Sequence, residues 1–168
     1  MPEASLALGD MLVRTPANKD KSANQKLVAM AIGWYESAAE AGVASAQFKL
    51  ANAYFAGAGV PRDMAKALVW YERAARQGLA EAQHALGILL IGGVAGPADP
   101  VEGYKWLLLA EKGGNADSKA VREKAKEKIA AADLKRADAL AQSFKPANER
   151  SNGDAVPRLV PVQPPPRQ

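Results

Sequence analysis

Cysteine is absent from this 168-residue chain, and histidine occurs once, at His84. The first absence excludes disulfides and thiolate metal sites, and it leaves the redox compartment open. The second leaves His84 without a companion for a metal site, and leaves no spare base for a serine nucleophile. Aromatic residues make up only 6% of the chain, and no cluster of rings and carboxylates suggests a carbohydrate cleft. No apolar run approaches the ~20 residues of a membrane span. An excess of one charge is missing too: 22 Lys and Arg stand against 18 Asp and Glu, dispersed along the chain. That balance does not support a nucleic-acid footprint. The opening MPEASLALGD lacks a basic stretch followed by an apolar one. The chain as written is therefore expected in the cytoplasm, or in the periplasm if the true N-terminus lies upstream.

What is present is apolar and helical. Nearly half of the residues are hydrophobic, mostly alanine and leucine, enough for a sizeable core and favourable to helix. Trp34, Trp70 and Trp106 follow one another at a constant step of 36 residues, and Gly42, Gly78 and Gly114 keep it. The surrounding segments read WYESAAEAG (34–42), WYERAARQG (70–78) and WLLLAEKGG (106–114). A fixed period of this size means one supersecondary unit stacked on copies of itself.

Each unit reads as helix A, loop, helix B and a glycine stop, with helix A over about 44–56 and helix B over about 64–77 in the middle copy. Gly57 can end helix A in the left-handed conformation, and Pro61 directs the chain across to helix B. Asp63 and Asp99 stand where an N-cap acceptor is wanted, with Pro100 and Glu102 at favoured positions behind Asp99. The first copy is stretched by six residues in the polar connection RTPANKDKSANQ (14–25), where Ser22 and Gln25 form a candidate capping box. The tryptophans are expected to pack between helices. Beyond Gly114 the period fades into a helix capped by Asn115 and running to about 131, then another over about 134–144. Six of the 11 prolines fall in 146–166, so 145–168 is expected to be a disordered, Pro-rich tail.

These residues resemble the Sel-1-like repeat, a helical-hairpin relative of the tetratricopeptide repeat. AQFKLANAYFAGAGVPRDMAKALVWYERAARQG (46–78) carries its pattern, departing only by Ala51 for a glycine. The third unit is weaker, with Leu90 and Leu107 where the pattern has tyrosine. The closing REKAKEKIAAADLKRADALAQSFKP is similar to the helical cap that follows such repeats. The resemblance implies an all-α, right-handed α-α superhelix of about three helical-hairpin repeats with a C-terminal helical cap. Residues 1–144 would form the solenoid, with repeats over about 4–42, 43–78 and 79–114 and a cap over 115–144. It also implies an adaptor or scaffold that binds proteins, with no catalysis.

The residues offer little chemistry against that expectation. Gly57-Ala58-Gly59 and Gly92-Gly93 lack the Lys-Ser/Thr that a phosphate loop needs, so no cofactor is expected. No metal is expected either, and the matched N-cap positions account for Asp63 and Asp99. One stripe on helix A remains: Leu6, Asp10 and Val13 in the first unit, Phe48, Asn52 and Phe55 in the second, and His84, Ile88 and Ile91 in the third. By analogy with other solenoids this stripe is expected to line the concave face and to bind a segment of another protein, with Phe48 and Phe55 as anchors. The plainer alternative is that it packs between neighbouring helices. Asp10, Asn52 and His84 argue for a partly wet groove, because a sealed core would leave them seeking partners. Rival readings are a carbohydrate-binding or small hydrolytic protein of the cell envelope, and a structural subunit acting through PVQPPPRQ (161–168). Helix A of the first unit begins close to Met1 with no cap ahead of it. That end is expected to continue a longer array or to join a second copy in a homo-oligomer.

Overall fold

The computed structural model describes residues 1–14 and 21–148, apart from the side chains of residues 14, 21 and 22. Among the described residues there are eight helices and no strand. They run α1 (Pro2–Arg14), α2 (Lys21–Glu40), α3 (Ala44–Ala56), α4 (Met64–Arg76), α5 (Ala80–Gly92), α6 (Pro100–Lys112), α7 (Asp117–Lys126) and α8 (Ala131–Ser143). Helices α1, α3 and α5 are helix A of successive hairpins, and α2, α4 and α6 are helix B. The chain is an α-solenoid of such hairpins, closed by α7 and α8.

Local chemistry places the helix ends. α3 stops because Gly57 takes φ 72°, and α5 stops at Gly93 with φ 62°. Side chains at these positions would meet the penalty of roughly 1–2 kcal/mol for left-handed backbone. The Asp63 carboxylate accepts from the Lys66 backbone N–H at 2.9 Å, and the Asp99 carboxylate accepts from Glu102 N–H at 2.9 Å. The same two aspartates pin the loop through their own N–H groups, which donate to Tyr54 O and Leu90 O. A second repeated device joins hairpin to hairpin. Buried Gln47 donates to the Ala39 carbonyl, and buried Gln83 donates to the Ala75 carbonyl, each at 3.1 Å.

Packing follows the same step. Helix B of one hairpin lies against helix A of the next: Ala31, Tyr35, Ala38 and Ala39 of α2 bury Ala46, Leu50 and Ala53 of α3. Ala74 and Ala75 of α4 share a cluster with Ala82, Leu86 and Leu89 of α5. Leu50→Ala or Leu86→Ala is the kind of change that costs ~2–5 kcal/mol. Within the third hairpin the crossing is closest at two glycines. A methyl at Gly103 would stand 2.8 Å from Gly87 O, and one at Gly87 would stand 2.9 Å from Gly103 O. Ala51 and Ala67 hold the same positions in the second hairpin, both fully buried.

The closing helices differ from expectation. The helix expected to about 131 is α7, which ends at Lys126: the chain tightens there as Lys128 and Ile129 N–H donate to Ala125 O and Lys126 O. That turn seats Ile129 against the core of Tyr104, Ala125 and Ala137. Asn115 does accept from Ser118 N–H, at 3.1 Å. Arg122 fastens α7 to α6 through Glu111 at 2.7 Å and the Tyr104 hydroxyl at 2.9 Å. The expected capping box rests on Ser22, whose side chain lies outside the described residues, and α2 already begins at Lys21.

After α8 the chain turns back across the B helices. Phe144 meets Trp106 edge-on at 5.4 Å, Pro146 lies beside Gly78, and Ala147 N–H donates to Arg76 O at 2.8 Å. Residues 145–148 of the expected tail are thus laid on the solenoid; the rest of that segment, including PVQPPPRQ, lies outside the described residues.

Candidate functional site

The nine stripe residues separate into three groups in the structure. Leu6, Phe48 and Ile91 are half-buried and pack onto the three core clusters in turn. The Phe48 ring also meets Tyr71 at 5.8 Å, so it anchors α3 to α4. Val13, Phe55 and Ile88 stay open to solvent, the last two at 39% and 40%.

The three polar members all have hydrogen-bond partners within the fold, although Asn52 stays exposed. Asp10 accepts from the Tyr35 hydroxyl at 2.8 Å and pairs with Lys49 at 3.0 Å, which ties α1 to both α2 and α3. Asn52 accepts from the Tyr71 hydroxyl at 2.5 Å. These two pairs are one device repeated, a helix A acceptor under a helix B tyrosine. In the third hairpin the same two places hold Ile88 and Leu107, so the polar rung becomes an apolar one. Burial, then the Asp10 hydrogen bond and charge, pushes the Tyr35 phenol well above its usual range. Burial alone pushes the Tyr71 phenol up to about 12.

His84 joins a short relay. Asn115 Oδ1 accepts from both Ser118 N–H and Ser118 Oγ–H, so the hydroxyl proton is committed, and His84 Nδ1 at 2.8 Å must be the donor to Ser118 Oγ. The polarity of Asp10, Asn52 and His84 therefore reflects bonds between helices. These bonds account for the three polar side chains within the fold, and of the apolar members of the stripe Val13, Phe55 and Ile88 are exposed.

The tryptophans do not share one role. Trp106 is 3% exposed, beneath Phe144 and with Lys105 Nζ 4.0 Å from the ring centre. Trp70 is half-buried between two core clusters, with the Arg73 guanidinium 4.7 Å over its ring. Trp34 is 39% exposed, which corrects the expectation that all three are packing residues. Gly33 and Ser37 stand beside Trp34 where the third and second hairpins have Lys105 and Arg73. Glycine and serine are too short to cover the ring as those cations do. Met30, at 56% exposure, continues the bare patch along α2, and Leu8 and Met11 are exposed on α1. The stripe reading missed this patch, although the loss of charge at 30, 33 and 37 was the visible signal.

Among the described residues no three His, Cys, Asp or Glu side chains come together to hold a metal. No described helix is long and apolar enough to cross a membrane. A cleft of about 660 Å³ between α2 and the Gly57–Pro61 turn is walled by Val28, Ala29 and Val60, with Asn24 and Gln25 among its polar side chains. Its walls offer no charged group.

The hairpin geometry, the repeated Gln and Asp devices and the 36-residue step can now be set beside known proteins. The model of the Sel1 repeat matches residues 20–43, 44–79 and 80–115, more than half of the chain. The chain belongs to the Sel1 repeat family. The match leaves α1 outside, in the hairpin whose connection is stretched. No curated protein matches. Among solved structures this Sel1 chain is similar to c5321, a protective antigen present in uropathogenic Escherichia coli strains displaying an SLR fold. That likeness has a TM-score of 0.76 at 29% identity and covers 86% of this chain and 30% of that one. It is also similar to a Sel1 repeat protein from Oxalobacter formigenes, with a TM-score of 0.63 at 30% identity, over 72% of this chain and 47% of that one. The chain thus spans less than half the length of either. Sel1 repeat proteins generally mediate protein–protein interaction, and the fold is typically a non-catalytic scaffold.

Proposed function

We propose that this Sel1 solenoid is an adaptor that holds a segment of a partner protein along the open side of its A helices. The observation that supports this reading is the row of apolar side chains left in water on three successive A helices: Val13 on α1, Phe55 on α3 and Ile88 on α5. On the same stripe Leu6, Phe48 and Ile91 are packed onto the core, which fixes the helices that carry this row before any partner arrives. A rigid surface loses little entropy on binding. Phe55 is the anchor, because a large ring half out of water gains most from being covered. Phe48, given the same task by the sequence, is already engaged with Tyr71.

The test is capture of partners from the native cell by the full chain, with mass-spectrometric identification, repeated with Phe55→Glu and Ile88→Glu. Both variants should keep the helical circular dichroism and lose the partner. Retention of the same partner by both would end this reading. A chain cut after residue 148 keeps the Phe144 and Ala147 contacts and should capture as the full chain does; loss of capture on that cut would move binding to the Pro-rich segment.

A further inference from the structure

The outer side of α2 differs from that of the other B helices. Lys26, Met30, Gly33, Ser37 and Glu40 alternate steps of four and three, which puts them on one stripe along the helix, and all five are exposed. Trp34 and Ala29 flank it, also exposed. The equivalent positions one repeat on are Arg62, in the turn before α4, then Lys66, Val69, Arg73 and Arg76; two repeats on they are Ala98, in the turn before α6, then Glu102, Lys105, Leu109 and Lys112. Between its two ends the α2 stripe holds no charge at all.

Gly33 sits at the middle of a 20-residue helix, where glycine weakens the helix relative to alanine. The other close crossings of this fold explain their glycines, but a methyl at Gly33 would meet nothing within 4 Å. The monomer makes no use of this glycine. Lys26 and Glu40 lie seven residues to either side of it, and neither has an ion pair among the described residues.

We infer that α2 is the interface of a two-fold dimer, in which the α2 helices of two copies cross antiparallel with Gly33 on the axis. An antiparallel crossing at Gly33 brings Lys26 of each copy to Glu40 of the other, so the stripe is complementary to itself. Paired glycines let the two helices approach closely, and Met30 and Trp34 of each copy fill the flanks. Self-complementarity of this kind is what an isologous interface requires. The α4 stripe, positive at both ends, would repel its own copy, and the α6 stripe pairs no opposite charges about its centre. The interface uses the B side of the solenoid and is independent of the A-helix reading above.

Sedimentation velocity and oxidative cross-linking test this. The wild-type chain should dimerise with a Kd on the order of 1–100 µM, as befits a small interface. Lys26→Glu places like charges at both ends and should weaken the dimer about 30-fold. Lys26→Glu with Glu40→Lys restores opposite charges and should return to within about threefold of wild type. Because the chain has no cysteine, Gly33→Cys can form only an intermolecular disulfide. It should cross-link far faster than Ala65→Cys on the exposed side of α4, since residues on the axis lie within the ~7 Å a disulfide spans. A wild-type monomer at all concentrations up to ~1 mM overturns the proposal. So does a dimer in which the double swap fails to rescue, or one in which Gly33→Cys cross-links no faster than Ala65→Cys. All the altered side chains are exposed, and unchanged circular dichroism separates lost pairing from lost folding.

Discussion

Trp34 in α2 and Trp106 in α6 occupy the same place in hairpins two repeats apart, and their surroundings have diverged. Trp106 is sealed by Phe144 and Lys105, while Trp34, with Gly33 and Ser37 where the other hairpins carry cations, stays 39% exposed. The repeat fixes where the ring is carried. Whether it becomes core or surface depends on what lies over it, and the cover comes from residues that do not repeat. Trp70 stands between the two cases, bridged to both neighbouring clusters and covered by Arg73.

The contrast is open to direct attack. Trp106→Ala should cost ~3–5 kcal/mol in urea unfolding, whereas Trp34→Ala should stay within ~0.5 kcal/mol. Similar losses at both positions would dissolve the comparison. Phe144→Ala removes an edge-to-face partner and part of the cover, for an expected loss of ~1–2 kcal/mol, with Trp106 emission shifting to the red. Asn52→Ala strips the Tyr71 hydroxyl of its acceptor and should cost about 1 kcal/mol. Removing both partners while keeping the ring, Asn52→Ala with Tyr71→Phe, should recover most of that.

The two rungs also separate by pH. The folded Tyr71 phenol lies at about 12 against ~10 unfolded. Its contribution is intact below pH ~10 and is lost as pH rises through the folded value, because only the unfolded chain ionises readily. Alkaline unfolding between about pH 10 and 12 should soften in Tyr71→Phe, and thermal scans across that range would read it. The smallest effect belongs to Ser37→Arg. It gives Trp34 the guanidinium cover that Arg73 gives Trp70, for a gain of ~0.5 kcal/mol in the monomer.

Much of the fold was legible because its signals are local. Gly57 and Gly93 stop the A helices, and Asp63 and Asp99 start the B helices that follow, as their spacing indicates. The site was less legible for a physical reason. Asp10 meets Tyr35, and Asn52 meets Tyr71, across a hairpin, and a helical stripe read on one helix cannot show what the facing helix supplies. Position within the stripe thus singled out Phe55 and Ile88 together with residues already spoken for, such as Phe48 and His84. The bare side of α2 was visible as a break in the charge pattern, but its meaning depended on Gly33 having empty space beside it.

The segment that returns across the B helices has a consequence for how the array comes apart. In a stack where each unit touches only its neighbours, stability adds unit by unit and the ends fray independently. Phe144 on Trp106 and Ala147 on Arg76 connect the last helix to the third hairpin and, beyond it, to the second. Opening any of these then exposes surface belonging to the others, so α4 through α8 should open as one cooperative block. The α1–α2 hairpin is not held in that clasp. In the monomer, amide exchange should find it opening first, which leaves the unpaired Met30 and Trp34 side of the molecule the most readily remodelled.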